Sequence, residues 1–380
     1  MKIIHAIQMT GMAGAEKHLL ELLPELQNAG IEVQLISFYL KEDADSIADL
    51  CNPLNEVGIK IHKVESHSRI NLSLLRKLKK IIDAEKPDAI HSHLISADGL
   101  FSLIKMLFLK KFFLFSTKHN YSYQYTTKFG LSPNHHLFDK FYFTSRLSGF
   151  FVNHDLVVSE GLRQLLIAQK ICGQDNSTTV YHGLRQQYDP TKNTVSHRHS
   201  DHQLVILGRL LKLKGHHHIF NCMPGLIEEF PDLHLNIVGK GPMRKELEAK
   251  CAEKGLTDHV TFHGHSSQAL DFLRDADVVL MPSSGEGFGL VFLEAFEVGT
   301  PVIAFDVAAA NEIIENAVNG ILVPPFELDK MGKAIQQLLW NKAEGERLVA
   351  NAKETLTKRF TIEKMRDDTI AVYRKVLPTR

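Results

Sequence analysis

Short apolar runs alternate with amphipathic stretches along almost the whole of this 380-residue chain. Runs at 3–8, 32–38, 89–92, 113–118, 156–159 and 178–181 have strand length and little internal polarity. Between them, 15–29, 70–84 and 96–108 repeat apolar positions at helical spacing. This rhythm predicts a doubly wound parallel sheet with helices on its faces. A polar stretch at 185–202, carrying Pro190, breaks the rhythm and reads as a linker. A second βα series then starts at 203–208 and continues through 234–238, 260–263, 278–281, 302–305 and 320–323. The expectation is an α/β chain with an N-terminal Rossmann-like domain over 1–184 and a second over 203–361. A closing segment, 362–380, follows and carries a helix at about 362–376.

Residues 277–305 are the most informative: Asp-Val-Val-Leu-Met-Pro-Ser-Ser-Gly-Glu-Gly-Phe-Gly-Leu-Val-Phe-Leu-Glu-Ala-Phe-Glu-Val-Gly-Thr-Pro-Val-Ile-Ala-Phe. They read as a buried strand, a Gly-rich loop, a helix from about Leu290 stopping at Gly299 and Pro301, and a second buried strand. In such a unit the loop lies beyond the carboxyl end of a strand, where open α/β sheets bind ligands. The helix is apolar nearly all round, yet it carries Glu294 about one turn in. A buried carboxylate costs several kcal/mol unless something hydrogen-bonds it, and the vicinal hydroxyls of a ribose would do so. Glu286 lies in the loop, next to Gly287, and the amides of Phe288, Gly289 and Leu290 at the helix start suit a phosphate. Taken singly, each acid is equally a capping or core-satisfied glutamate.

The pattern Glu286-x7-Glu294 within Ser-Gly-Glu-Gly-Phe-Gly-Leu-Val-x-Leu-Glu-Ala resembles the signature of the retaining nucleotide-sugar glycosyltransferases of the group 1 (family 4) class. Those enzymes have the GT-B architecture, two Rossmann-like domains facing a central cleft. Gly208-Arg209-Leu210-x3-Lys214-Gly215 matches a second family segment. A strand-end Arg taken alone is usually just solvated. The resemblance implies instead that Arg209 and Lys214 grip a diphosphate and stabilise charge on the departing nucleoside diphosphate. It implies that Glu294 holds the ribose and that Glu286, with the amides of Gly287 to Gly289, holds the sugar hydroxyls. Gly239-Lys240-Gly241-Pro242 resembles the family's Gly-x-Gly-Pro, where the backbone approaches the nucleotide, and Gly264 lies in the segment that meets the base. Thr10 to Glu16 resembles the Gly-Gly-Ala-Glu turn, with Ala13 replacing the first glycine, so only Gly14 transfers as a donor-phosphate contact. A tight βα turn with Glu16 on the helix dipole explains that stretch equally well. His91-Ser-His93 resembles a His-x-His that places its second histidine by the anomeric centre, which makes His93 a catalytic candidate. His91 then reads as a satisfied core histidine. The family's Gly-Gly after the next strand is Ala308-Ala309 here, a departure that bears on sugar identity. The final helix resembles the tail that braces the N-terminal domain.

Composition narrows the alternatives. Lys+Arg and Asp+Glu number 44 each, and the slight basic excess of the first 200 residues does not indicate nucleic-acid binding. Cys51, Cys172, Cys222 and Cys251 show no Cys-x-x-Cys spacing, so a reduced, cytoplasmic protein is expected. The first eight residues read as a strand, not a signal peptide, and no apolar run is long enough to span a bilayer. Among 21 histidines, His197, His199, His202 and the triplet His216 to His218 read as solvent-exposed side chains. Asp275-Ala-Asp277 has the letters of a metal-diphosphate motif but lies before a buried strand, at the end remote from the crevice. No metal and no cofactor are therefore expected, with a UDP- or GDP-sugar as co-substrate. The acceptor reading is a glycan or lipid-linked glycan, in cell-surface polysaccharide or lipopolysaccharide synthesis. Tyr121, Tyr123 and Tyr125 are candidates to stack on its sugars. Residues 96–115, apolar with Lys105, Lys110 and Lys111, fit either a peripheral contact with the inner face of the cytoplasmic membrane or a buried helix and strand. Rival readings are a sugar-nucleotide epimerase on the same fold and a non-catalytic sugar-nucleotide-binding protein.

Overall fold

A computed structural model describes residues 1–68, 70–109, 111–120, 140–186, 188–189 and 196–378, with the side chains of 140 and 141 left out. Tyr121, Tyr123, Tyr125, Lys110 and residues 187 and 190–195 of the expected linker lie outside the described residues. The described residues form two compact units. One runs from Met1 to Arg185 and resumes at Thr361; the other is Gln186–Phe360.

The first unit is built on a parallel sheet of β1 (Lys2–Met9), β2 (Glu32–Leu40), β3 (Lys60–Ser66), β4 (Ala89–His93), β5 (Phe113–Lys118), β6 (His154–Val157) and β7 (Ser177–Thr179), in the order β3-β2-β1-β4-β5-β6-β7. Alternation along β1 sends Ile3 and Ile7 to one face and Ile4 and Ala6 to the other. The first face is covered by helices Gly14–Asn28, Ala48–Glu56 and Ile362–Val376, through Leu19, Leu22, Leu50 and Tyr373. The second is covered by Leu72–Glu85 and Leu94–Leu107, through Leu78, Ile82, Leu100 and Phe101. With both faces buried, the central strands read as continuous apolar runs. The returning helix Ile362–Val376 belongs to this unit: Thr361 caps it through Lys364, and Tyr373 is fully buried.

Neither β3 nor the helix Ala48–Glu56 stands out in the hydrophobic pattern of the chain. The reason is local. As an edge strand, β3 buries only Val64 and Ser66 of its seven residues, so its sequence, Lys-Ile-His-Lys-Val-Glu-Ser, carries little apolar signal.

The second unit holds β8 (Gln203–Leu207), β9 (His234–Val238), β10 (Val260–Gly264), β11 (Val278–Met281), β12 (Val302–Phe305) and β13 (Ile321–Val323), ordered β10-β9-β8-β11-β12-β13. In both sheets the order reverses between two central strands, β1 and β4 in one, β8 and β11 in the other. Loops leaving the carboxyl ends of such a pair diverge to opposite faces and open a crevice. Gly14 and His93 lie at the first reversal, and Arg209, Lys214 and Glu286 at the second.

One buried ion cluster ties the first unit together. Lys118, at the end of β5, lies 2.6 Å from Asp98 on the helix Leu94–Leu107 and 3.3 Å from Asp155 in β6. All three are nearly sealed from solvent, and Lys118 opposes the rise in Asp155's pKa that burial causes. Removing the cation leaves two uncompensated acids. Lys118→Met is expected to cost about 3–5 kcal/mol of stability, read from the urea midpoint; a loss below about 1 kcal/mol would contradict the assignment.

Candidate functional site

In the second unit three loops leave the carboxyl ends of neighbouring strands β9, β8 and β11 and lock backbone to backbone. Leu210 N–H donates to the Lys240 carbonyl at 3.0 Å, Ser284 N–H to the Leu213 carbonyl at 2.8 Å, and Gly239 N–H to the Gly264 carbonyl at 2.6 Å. Such approach excludes side chains. At Gly239, with φ +147°, a Cβ would lie 1.9 Å from the Gly208 carbonyl oxygen. Gly241 follows in the same loop, and Gly264 ends β10. The β8 loop closes with a short turn, Lys212–Lys214, while Arg209 leaves it exposed to solvent.

The β11 loop carries the acids. Glu286 is buried at 5% exposure, and the Lys214 ammonium meets both its oxygens, at 2.6 and 2.8 Å. The pair joins the loops after β8 and β11. Gly289, with φ +92°, caps the helix Leu290–Val298; a Cβ there would strike the Phe292 ring at 2.6 Å. Gly287 and Phe288 lie between Glu286 and this cap, and the Phe288 side chain is buried against Phe360. Glu294, the fifth residue of the helix, is 6% exposed, so the apolar helix does bury its acid.

In the first unit, Gly14 opens the helix Gly14–Asn28 beyond β1, and Glu16 bends back to accept from the Ala13 N–H at 3.0 Å. His93 ends β4 and is fully buried, with His91 on the same face. His91 is satisfied at both ring nitrogens, by Tyr373 and by Thr117. His93 Nε2 lies 2.9 Å from His5 Nδ1, and its Nδ1 lies 3.1 Å from His119 Nε2. His18, from the first helix, contacts His182 at 2.8 Å. Six histidines from β1, β4, the first helix and the loops after β5 and β7 thus share one region. Sequence reading found two of them; the other four sit singly in separate segments.

Several expectations change. His216 is buried, and the His197 ring stacks on Phe272 with centroids 3.8 Å apart, so neither is the solvent-exposed side chain the polar context predicted. His216 begins the helix His216–Glu229 beside Lys214, at the crevice, which a contiguous triplet gives no means of seeing. Asp275 and Asp277 are occupied structurally, accepting the N–H groups of His197 and Gln203. At the Ala308-Ala309 departure, Ala309 adopts φ +70°, a conformation that favours glycine.

The comparisons with known proteins divide along the same lines. Residues 189–355 match the model for glycosyl transferases group 1, and residues 12–187 match the model for glycosyltransferase family 4. An uncharacterized glycosyltransferase of Methanocaldococcus jannaschii is 28% identical over 58% of this chain and 59% of its own. A phosphatidyl-myo-inositol mannosyltransferase of Mycobacterium leprae is 33% identical over 43% of each chain. The chain thus spans about half the length of the curated relatives it matches. Among solved structures, Anabaena HepE in complex with UDP and glucose superposes with a TM-score of 0.79 over 99% of this chain and 100% of that one, at 19% identity. That likeness establishes the GT-B fold.

The histidine cluster sets a pH dependence. Burial pushes His5 and His182 down to about 3 and lowers His18, His91, His93 and His119 as well, so all six are neutral when folded. Unfolded, each takes up a proton near pH 6.5. Their contribution is therefore complete above pH 6.5 and is progressively lost as pH falls below it. The urea midpoint is expected to drop steeply from pH 7.5 to 5.5; a flat profile over that range would contradict it.

Proposed function

We propose that the chain, matched in each half by a glycosyltransferase family model, is a glycosyltransferase of GT-B fold that transfers a sugar from a nucleotide-diphosphate sugar to a glycan or lipid-linked glycan, with retention at the anomeric carbon. The observation that carries this reading is the convergence, at the β8/β11 reversal, of Arg209, Lys214 and two buried acids, Glu286 and Glu294. A diphosphate suits Arg209 as a planar fork and Lys214 as a point charge already held in place by Glu286. Ribose hydroxyls are suited to donate to the carboxylate of buried Glu294. Glu286 accepts from the sugar, with the Gly287 to Leu290 backbone against it. The backbone of Gly239, Gly241 and Gly264 lets the nucleoside approach. Support for a UDP-sugar comes from the structural neighbour HepE, solved in complex with UDP-glucose.

In the proposed step the bond from the anomeric carbon to the leaving phosphate oxygen breaks while the acceptor oxygen bonds the same face. The acceptor proton passes to that phosphate oxygen, so no protein nucleophile takes part. Arg209 and Lys214 stabilise the negative charge that gathers on the diphosphate, a preorganised electrostatic effect.

The acceptor reading extends to a membrane. Leu109, Phe150, Phe143, Leu107, Leu147 and Met106 are 46–87% exposed, on the ends of the helices Leu94–Leu107 and Lys140–Gly149. Phe143, Leu147 and Phe150 repeat at helical spacing, so they share one face. Lys111 and Arg146 lie exposed in the same segments. Asp98, the one acid among the described residues of these segments, is buried against Lys118. Apolar side chains amid uncompensated cations suit an anionic bilayer surface. Among the described residues, no helix is long and apolar enough to cross a membrane. We place the protein on the inner face of the cytoplasmic membrane.

Arg209→Ala and Glu294→Ala are each expected to lower transfer at least 10²-fold, about 2.7 kcal/mol, measured as nucleoside diphosphate release from a panel of UDP- and GDP-sugars. Near-wild-type rates in both would reject the site. In vesicle flotation the protein is expected to rise with phosphatidylglycerol-containing vesicles and not with neutral ones, and Phe143→Ser with Phe150→Ser to abolish this. Equal flotation of the double variant would reject the surface.

A further inference from the structure

Three histidines of the first unit, His18, His93 and His119, each bring one ring nitrogen into a group whose members all lie within 4.8 Å of one another. We propose that these three side chains form a binding site for a first-row divalent cation of the zinc class.

The geometry is that of imidazoles arranged round a common point. Nitrogens about 2.0–2.1 Å from a tetrahedral Zn²⁺ lie about 3.3 Å apart and set their ring centroids about 5 Å apart. Here the centroids of His18 and His119 are 5.0 Å apart, those of His93 and His119 5.4 Å, and those of His18 and His93 5.6 Å. Within the trio His93 Nδ1 lies 3.1 Å from His119 Nε2. Only small adjustments separate this arrangement from coordination.

Hydrogen bonding alone does not account for it. A neutral imidazole has one N–H and one lone pair, so a chain of rings can satisfy every internal nitrogen. His91, His5 and His93 do so, running from Thr117 through Tyr373 to His119. The chain then ends on atoms with nothing to meet. His119 Nδ1 and His18 Nε2 are both sealed from solvent with no hydrogen-bond partner among the described residues. His18 is itself only 6% exposed. The unused, buried Nε2 of His18, on a ring held at Nδ1 by His182, points to an absent electrophile.

The surroundings match a metal's outer shell. A ligating imidazole is oriented by a hydrogen bond at its other nitrogen, which fixes the tautomer. His93 Nε2 has His5 at 2.9 Å, and His18 Nδ1 has His182 at 2.8 Å. The group is also neutral, the form a metal requires. An all-imidazole set selects Zn²⁺, Ni²⁺ or Cu²⁺ over Mg²⁺, Ca²⁺ or Mn²⁺, which take oxygen ligands. Three protein ligands leave a fourth position open on a tetrahedral ion.

The inference is independent of the sugar-transfer reading, because its readout is metal content and ligand field, not turnover. Untagged protein, stripped with chelator and incubated with Zn²⁺ alone, is expected to carry about one equivalent through gel filtration. Incubation with Co²⁺ should give the intense visible absorption of a tetrahedral nitrogen site. His18→Gln and His119→Gln are each expected to lower retained zinc at least tenfold, while His67→Gln, at an exposed position, retains it. Circular dichroism verifies that each variant is folded, and the Co²⁺ spectrum of the unmodified protein tests the site without any substitution. Absence of both retained zinc and the tetrahedral Co²⁺ spectrum in the unmodified protein would overturn the proposal, as would zinc retention unchanged in His18→Gln and His119→Gln.

Discussion

A carboxylate out of water needs a cation, and at Glu286 that requirement organises the second unit. The acid is buried, and the Lys214 ammonium reaches both of its oxygens. Leaving it unpaired would cost several kcal/mol, so the loops after β8 and β11 are held in one relative position. Their backbones already bond directly, Ser284 to Leu213. The β9 loop joins them because Gly239 has no Cβ to keep it from the Gly208 carbonyl. Charge placement and glycine placement thus serve one purpose, a rigid set of loops with a cation and acids fixed at the reversal of the sheet.

The first unit meets the same problem with different chemistry. Around the β1/β4 reversal its polar interior is imidazole. Neutral rings can be buried at far lower cost than ions, and they supply directional donors and acceptors. The returning helix takes part, since Tyr373 hydrogen-bonds His91 and packs on Phe115. A segment far away in sequence therefore helps to orient the rings at this strand end. Away from the reversal, the unit uses a charged cluster instead, Lys118 between Asp98 and Asp155. That cluster lies in the scaffold, between β5, β6 and the helix Leu94–Leu107.

What the chain's own order determined was whatever depends on near neighbours. Strands such as Phe113–Lys118, His234–Val238 and Val302–Phe305 were legible because central parallel strands are buried on both faces and so read as unbroken apolar runs. The helix Leu290–Val298 was legible because Gly289 and Gly299 bound it, and Glu294 stood out as an acid within an apolar helix. The spacing from Arg209 to Lys214 and from Glu286 to Glu294 placed these residues on loops and helices without reference to any other part of the chain. Tertiary structure alone decided the rest. The Lys214–Glu286 pair spans 72 positions, and no local pattern records it. The edge strand Lys60–Ser66 was hidden because one exposed face removes its apolar signal. His5, His18, His119 and His182 each look unremarkable in sequence, and only the convergence of several strand ends makes them one cluster. Burial and pairing are properties of what comes together in space, whereas periodicity reports only which face of an element turns inward.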